Sequence, residues 1–163
     1  MTDRGMATEQ VYSVHAPGLI PVSINARMLP TARSARGKRQ PGRPVRRRVA
    51  GLAVTPEVRA YQRSLRLLAL AELRRQGLWE PMTCTVAALV VMRGTKLDAD
   101  NGSKDTLDAL EGVAWVNDKQ VRLLSCMAST RGKRGVEVHF GPVTLVSELD
   151  ALRDAIFAAL EAA

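Results

Sequence analysis

Four short segments of the chain have the residue patterns of β-strands. Apolar and polar residues alternate within residues 11–24 and again within residues 135–140. Residues 83–93 form a β-branched apolar run, and residues 121–127 form another apolar run of strand length. Both patterns favour strands over helices. The segment RGKRG at 131–135 predicts a hairpin-like turn between the last two strands.

Three other segments have the spacing of amphipathic helices. Thr55 and Pro56 are typical of a helix start, and Gly77 suits the end of that helix. A second, short helix is predicted over about residues 101–112, and a third begins at Ser147, with an aspartate three residues later as a capping box. The predicted core positions are Val58, Tyr61, Leu65 and Leu68 in the first helix and Leu149, Leu152, Ile156, Phe157 and Leu160 in the last.

The order strand, helix, strand, helix, strand, strand, helix predicts a fold of the α+β class. The chain has 163 residues, of which 46% are hydrophobic, and that is enough for one domain of ordinary size. We therefore expect a single domain over residues 11–163, with a mixed β-sheet and flanking helices. Residues 1–10 are predicted to be disordered.

Positive charge is concentrated in one segment. The chain carries a net charge of +8, yet the stretch from Val11 to Pro56 contains nine basic residues and no acidic ones, so the rest is close to neutral. Several prolines and glycines in this stretch exclude a helix or a central strand. We predict a mobile basic loop at about 27–52 that binds nucleic-acid phosphates, although a solvated arm that only aids solubility is the alternative. Its basic residues are Arg27, Arg33, Arg36, Lys38, Arg39, Arg43, Arg46, Arg47 and Arg48.

Other features exclude several classes of protein. Two cysteines, Cys84 and Cys126, are too few for a disulfide-rich scaffold, and two histidines add little to a zinc site. No run of apolar residues is long enough to span a membrane, and the N-terminus lacks the apolar core of a secretory signal. We expect a cytoplasmic protein with reduced thiols and no membrane partner.

Acidic residues suited to a metal site lie in residues 96–121. Asp98 and Asp100 are two apart at the predicted end of a strand, where both would point to one face and could share a hard cation such as Mg²⁺. Asp118 opens the next strand and could return to the same edge of the sheet. Lys104, in the first turn of the following helix, could reach a phosphate held at that helix N-terminus. This set fits metal-assisted cleavage of a phosphodiester.

Each of these residues also has an ordinary structural explanation. Aspartate and asparagine before a helix are common N-caps, and Asn117 with Asp118 could be turn chemistry alone. Asp108, four residues after Lys104, predicts a surface ion pair that would either be structural or orient the lysine. Trp115 is expected in the core, with base stacking as the alternative.

The spacing of these residues resembles the RusA family of Holliday junction resolvases. The match covers about 26 residues densely and the preceding elements more loosely. It rests on Asp98, Asp100, Asn101, Lys104, Asp108, Ala109, Leu110, Gly112, Val113, Asn117, Asp118, Gln120 and Val121. Asn117 stands where many relatives have a second aspartate, which makes Asp118 the candidate third acid.

The resemblance implies a homodimeric, Mg²⁺-dependent endonuclease that acts on branched DNA, especially four-way junctions, in recombination and repair. Mn²⁺ is expected to substitute for Mg²⁺. The resemblance also implies that Asp98, Asp100 and Asp118 form the metal site and that Lys104 is needed for cleavage. The competing hypothesis is a basic nucleic-acid-binding accessory protein without catalysis, in which the acids serve only as caps and turn residues. A nucleotide hydrolase would not need so basic a loop.

Overall fold

A computed structural model of the chain describes residues 10–22, 28–31 and 51–162. The described residues form six strands, three α-helices and two single-turn 3₁₀-helices. In chain order the larger elements are β1 (Tyr12–Pro17), β2 (Met28–Thr31), β3 (Gly51–Val54), α1 (Pro56–Arg75), β4 (Val86–Arg93), α2 (Ala99–Leu110), β5 (Val121–Ser129), β6 (Gly135–Pro142) and α3 (Val146–Glu161). The 3₁₀-helices are Asp118–Gln120 and Val143–Leu145. The single α+β domain with a mixed sheet is confirmed.

Four strands form the main sheet, in the order β1-β6-β4-β5. β4 pairs parallel with β5 and antiparallel with β6, and β1 pairs antiparallel with β6. The prediction of a hairpin at 131–135 is therefore wrong, because β4 lies between β5 and β6. The segment between these two strands instead crosses the end of β4, where the Gly94 N–H donates to Arg131 O over 3.1 Å.

β4 is buried along nearly its whole length because helices cover both faces of the sheet. Val86, Ala88, Val90 and Met92 lie in one core with residues of α1 and α2. Leu89 and Val91 point to the other side, where they pack with Ile156 and Leu160 of α3. This double coverage explains why the strand is a continuous apolar run rather than an alternating one.

The start and end of α1 agree with the sequence prediction. The Thr55 hydroxyl accepts a hydrogen bond from the Val58 N–H, Pro56 is the first helical residue, and Gly77 follows the helix with a φ of +88°. One buried contact joins α1 to α2, since the Tyr61 hydroxyl and Thr106 Oγ1 are 2.7 Å apart. Leu68, predicted in the core, is instead 44% exposed.

The last helix differs from its prediction at both the cap and the core face. No side chain caps α3, and the predicted capping residue Asp150 pairs with Arg153 instead. Leu149, Ile156 and Leu160 are buried, whereas Phe157 is 52% exposed. Phe157 lies next to Ile156, so the two side chains point in different directions around the helix.

The flanks of the basic segment are strands rather than loop. β2 and β3 pair antiparallel as a separate ribbon that joins Met28 to Val54 and Thr31 to Gly51. Pro30 is tolerated there because a two-stranded ribbon consists only of edge strands. Residues 1–9 of the N-terminus predicted to be disordered over residues 1–10, and most of the predicted loop, residues 32–50, lie outside the described residues. No helix in the described ranges is long and apolar enough to cross a membrane.

Candidate active site

Asp98 and Asp100 lie at the N-terminus of α2 rather than on a strand. β4 ends at Arg93, a five-residue connection follows, Asp98 occupies the N-cap position, and Asp100 is in the first helical turn. The expectation that the two carboxylates share one face of an extended strand is therefore wrong. Gly94 directly follows the strand, and its φ of +62° turns the chain away from the sheet.

The connection between β4 and α2 is held by close backbone contacts. Thr95 N–H donates to Ser129 O over 3.1 Å, and the Thr95 hydroxyl accepts from Leu97 N–H over 3.0 Å. A Cβ on Gly94 would lie 2.9 Å from the Arg134 Cα, so a larger residue would push the two loops apart. These contacts fix the direction in which the chain enters Asp98.

The two carboxylates have different surroundings. Asp98 is exposed and does not cap the helix with its side chain, so the capping explanation gains no support. Asp100 is also exposed, while its backbone carbonyl accepts a hydrogen bond from the Ser103 hydroxyl over 2.8 Å. Burial is the main cause that raises the pKa of the Cys126 thiol on β5, and the charge of Asp100 adds to this effect. Asp100 therefore lies near Cys126, in the second half of β5.

Lys104 stands one turn further along α2 and is 55% exposed at its side chain. Its ammonium is 3.4 Å from a carboxylate oxygen of Asp108, as the spacing of four residues predicted. Asp100, Lys104 and Asp108 are four residues apart in turn, so they form one line along the outer face of α2.

Asp118 is the first residue of the 3₁₀-helix that leads into β5, and it is exposed. The turn is built by its neighbours. The Asn117 side chain accepts from Lys119 N–H over 3.0 Å, and Gln120 Oε1 accepts from Asn117 N–H over 2.8 Å. The turn chemistry predicted for this pair thus belongs to Asn117, which leaves the Asp118 carboxylate out of the cap.

Gln120 belongs to the motif quoted above, but the sequence did not indicate its role, which is to position the Asp118 turn. Its side-chain amide donates to the carbonyls of Met82 and Cys84, each over 2.9 Å. These bonds tie the Asp118 turn to the chain just before β4. The sequence could not predict this role, because the acceptors are backbone carbonyls, which every residue has, on a segment without regular structure.

The parallel pairing of β4 and β5 separates Asp118 from the other two acids. Val86, at the start of β4, is aligned with Val121, and Arg93, at its end, is aligned with Ser129. Asp118 precedes β5 and therefore lies by the start of β4, whereas Asp98 follows its end. At about 3.3 Å per residue, eight residues of strand separate the two positions by roughly 25 Å. The expectation that Asp118 returns to the same edge of the sheet is wrong for a single chain.

The donor chemistry of the two aspartates near α2 fits a hard cation only in part. Asp98 and Asp100 offer exposed carboxylate oxygens, and Mg²⁺ is often bound by one or two carboxylates together with waters and substrate phosphates. Across the described ranges, however, no three His, Cys, Asp or Glu side chains form a group that could hold a metal ion. The acids of one chain that could contribute to a divalent-cation site are therefore divided between the two ends of β4.

The other residues singled out in the sequence have varied positions. Trp115 is fully buried and packs edge-on against Phe140 at 5.4 Å, so it cannot stack on a base. The Arg131 guanidinium donates to Leu160 O and Glu161 O and so caps α3. The nine basic residues predicted to bind DNA, Arg27, Arg33, Arg36, Lys38, Arg39, Arg43, Arg46, Arg47 and Arg48, lie outside the described residues.

A polar cluster on the α3 side of the sheet was also missed by sequence reasoning. Nδ1 of the buried His139 is 2.8 Å from the Ser13 hydroxyl, and Glu137 accepts two hydrogen bonds from Arg93 at 2.8 and 3.2 Å. His139 and Arg93 together lower the pKa of Glu137 to about 2. The Arg93–Glu137 pair ties the end of β4, just before the Asp98 connection, to β6.

A comparison with known protein families matches a large part of this chain. The family model for "Endodeoxyribonuclease RusA" matches residues 37–140, which is more than half of the chain. The matched span includes β4, α2 and the Asp118 turn, while β1 and α3 lie outside it. No curated protein matches the chain in sequence.

Proposed function

Because the chain belongs to the RusA family of endodeoxyribonucleases, we propose that it resolves four-way DNA junctions by paired phosphodiester nicks. We propose further that cleavage depends on Mg²⁺, for which Mn²⁺ can substitute, and serves DNA recombination and repair on nucleoid DNA in the cytoplasm. The observation that carries this proposal is the group Asp98, Asp100 and Lys104 at the N-terminus of α2, inside the matched span.

The proposed metal site combines residues of two subunits. Asp98 and Asp100 of one subunit would hold the cation together with a phosphate oxygen. The partner's Asp118 would supply the third carboxylate, because the Asp118 of the same chain lies at the far end of β4 and β5. The proposed site can therefore form only in a homodimer. The two-fold symmetry of such a dimer also matches the symmetry of the reaction.

The edge strand β5 supports this arrangement. β5 is the last strand of the described sheet and has a neighbour on one side only. Leu123 and Leu124 are 45% and 42% exposed although they point to opposite faces. A nine-residue apolar strand with a free edge favours pairing with another chain. The exposed apolar surface therefore fits a second copy of β5.

The geometry of such pairing explains how the acids would meet. Two copies of the same strand related by a two-fold axis run antiparallel, so the start of one β5 lies beside the end of the other. Asp118 directly precedes the start of β5, and Asp100 lies near Cys126 in its second half. Antiparallel pairing of β5 thus brings the partner's Asp118 to the end of the sheet that carries Asp98 and Asp100.

Each side chain has a separate role in the proposed reaction. The N–H groups of the first turn of α2 and the Lys104 ammonium favour binding of the scissile phosphate, and the lysine stabilises negative charge that grows in the transition state. Asp108 holds Lys104 on the outer face of α2. When bound, a divalent cation would activate the attacking water and stabilise charge on the leaving oxygen.

A four-way junction suits this dimer because both are two-fold symmetric. Two equivalent sites, one at each end of the paired β5 strands, would cut two opposed strands of the junction. The non-catalytic binding protein remains the competing function, and the basic segment fits it equally well. The two functions differ only in whether a phosphodiester bond is cut.

A gel assay on a synthetic immobile junction tests the proposed function. We expect paired nicks in Mg²⁺, none in EDTA, and none with Asp100→Asn, while all three samples still shift the junction band. Uncut junction at a full band shift in both Mg²⁺ and Mn²⁺ would favour the accessory protein.

A further inference from the structure

Three arginines line the outer face of α1 beside α2. Arg59, Arg63 and Arg66 are four and three residues apart, so they share one face of the helix, and all three are exposed. Together with Gln62 and Asp108 they line a pocket of about 280 Å³ between the two helices, and this pocket is open to solvent. This arginine pocket lies outside the acidic group described above.

The walls of the arginine pocket are fixed relative to each other. The Arg66 guanidinium donates to Ala109 O over 3.2 Å and to Glu111 O over 2.7 Å, so it binds carbonyls at and just beyond the C-terminus of α2. The buried contact between Tyr61 and Thr106 joins the same two helices. Arg59 and Arg63 therefore project from a rigid surface, and this lowers the entropic cost of binding a ligand.

The arginine pocket carries an excess of positive charge. Asp108 is its acidic residue, and that carboxylate already faces Lys104. Arg59 and Arg63 form no ion pair with any residue in the described part of the chain. An arginine presents a planar fork of donors that matches phosphate oxygens. The ligand chemistry that fits is a phosphodiester.

The arginine pocket also continues the line of residues that starts at the candidate active site. Asp100, Lys104 and Asp108 follow one another along α2 at about 6 Å per four residues. Asp108 forms the near wall of the pocket, so a strand whose phosphate lies by Asp100 and Lys104 can pass directly to Arg59 and Arg63.

We propose that Arg59 and Arg63 bind backbone phosphates of the DNA strand next to the cleaved bond, without reading its bases. This proposal rests on the proposed function, because only that function identifies the bound strand as DNA that is being cleaved. Gln62 can hydrogen-bond a phosphate or sugar oxygen in the same pocket. The site is a binding and positioning site, distinct from the basic segment before α1.

The test compares two double variants of the same helix. Arg59→Ala/Arg63→Ala removes the proposed phosphate-binding side chains, and Arg74→Ala/Arg75→Ala removes two exposed arginines near the other end of α1 with the same change in net charge. Affinity for a four-way junction and for a linear duplex is measured in EDTA over a series of salt concentrations. Each phosphate that the protein no longer neutralises lowers the slope of log K against log salt by about 0.9.

We expect Arg59→Ala/Arg63→Ala to lower that slope by nearly two on the junction and to weaken binding at least tenfold. The Arg74→Ala/Arg75→Ala variant should change the slope by less than half as much. Equal losses in the two variants would overturn the proposal, because net charge alone would then explain binding. Unfolding temperatures of both variants should match the wild type, since all four side chains are exposed.

The outcome is separable from that of the proposed function. If the wild type binds both DNAs but cuts neither in Mg²⁺, the nuclease proposal fails while the contrast between the two variants still decides the role of the arginine pocket. If junctions are cut and the two variants bind alike, the pocket proposal alone fails. Absence of any binding to either DNA would overturn both.

Discussion

The two ends of the β4–β5 pair carry acids in different settings. At the end of β4, Asp98 and Asp100 begin a twelve-residue helix whose outer face adds Lys104. At the start of β5, Asp118 sits on a single 3₁₀ turn that Gln120 ties to the chain before β4. The parallel crossover through α2 forces this separation, because it returns the chain to the beginning of the neighbouring strand. One chain therefore holds the proposed metal ligands in two separate groups, and on our proposal a symmetric pair of chains would complete two sites.

The largest effects are expected from removing an acid at either end. Asp100→Asn and Asp118→Asn should each lower single-turnover junction cleavage by roughly three powers of ten, because each removes one charged ligand at nearly constant shape. Junction affinity should stay the same or rise, since a negative charge near phosphate is removed. Asp154→Asn, an exposed change on α3, is the control and should cut normally. If Asp118→Asn cleaves junctions at the wild-type rate, Asp118 does not belong to the proposed metal site.

The next prediction tests whether two subunits pair through β5, so that Asp118 of one subunit lies near Asp98 and Asp100 of the other. Leu123→Lys/Leu124→Lys places two charges on the edge strand and should give monomers in sedimentation, with cleavage lost along with the dimer. Leu67→Lys/Leu68→Lys on α1 makes the same change at side chains that are 60% and 44% exposed, and it should leave both mass and cleavage unchanged. A dimeric, active β5 variant would show that the subunits pair elsewhere.

A smaller effect is expected at Lys104. Lys104→Ala should lower single-turnover cleavage by about two to three powers of ten, as for the loss of one preorganised electrostatic group. Junction affinity should change by less than tenfold. Lys104→Arg should restore little activity, because a planar fork replaces a compact ammonium. If Lys104→Ala binds weakly but cuts normally at saturating enzyme, the lysine serves docking alone.

The elements of this fold were largely predictable from the sequence, whereas their arrangement was not. The apolar run of β4 and the Thr55-Pro56 start of α1 are local signals, and the structure confirms both. Strand order depends on which neighbour each edge finds, and periodicity carries no such information. The short RGKRG segment therefore suggested a hairpin although it crosses the end of β4.

Because the residue pattern does not encode strand order, only part of the candidate site could be predicted from the sequence. The spacing of Asp98, Asp100 and Lys104 was visible because all three lie close to one helix start. The position of Asp118 was not, because it depends on whether β5 runs parallel or antiparallel to β4. The arginine pocket beside Arg63 was also hidden, since its wall at Asp108 belongs to a helix that is distant in sequence.

The smallest predicted effect concerns the strand end that leads to Asp98. His139 and Arg93 lower the pKa of Glu137 to about 2, so the charged carboxylate stabilises the native state above its ordinary pKa near 4.5. That contribution is lost as the pH falls from about 4.5 towards 2. Glu137→Gln should cost on the order of 1 kcal/mol of unfolding free energy at pH 6, after allowance for solvent screening. The difference from wild type in denaturant unfolding should shrink by pH 3, and a constant difference would contradict this role.

The most direct test of the shared site mixes two inactive variants. Asp100→Asn and Asp118→Asn chains are unfolded together, refolded as a mixture and assayed on a junction that carries a label on each strand. If the site is shared between subunits, a mixed dimer has one intact site, made of Asp98 and Asp100 from one chain and Asp118 from the other. With random pairing about half of the dimers are mixed, so roughly a quarter of the wild-type number of sites is restored. Because each mixed dimer has a single intact site, it nicks one strand of the junction without paired cleavage. If all three acids act within one chain, every site in the mixture is damaged and no nicking returns, which would contradict a site shared between subunits.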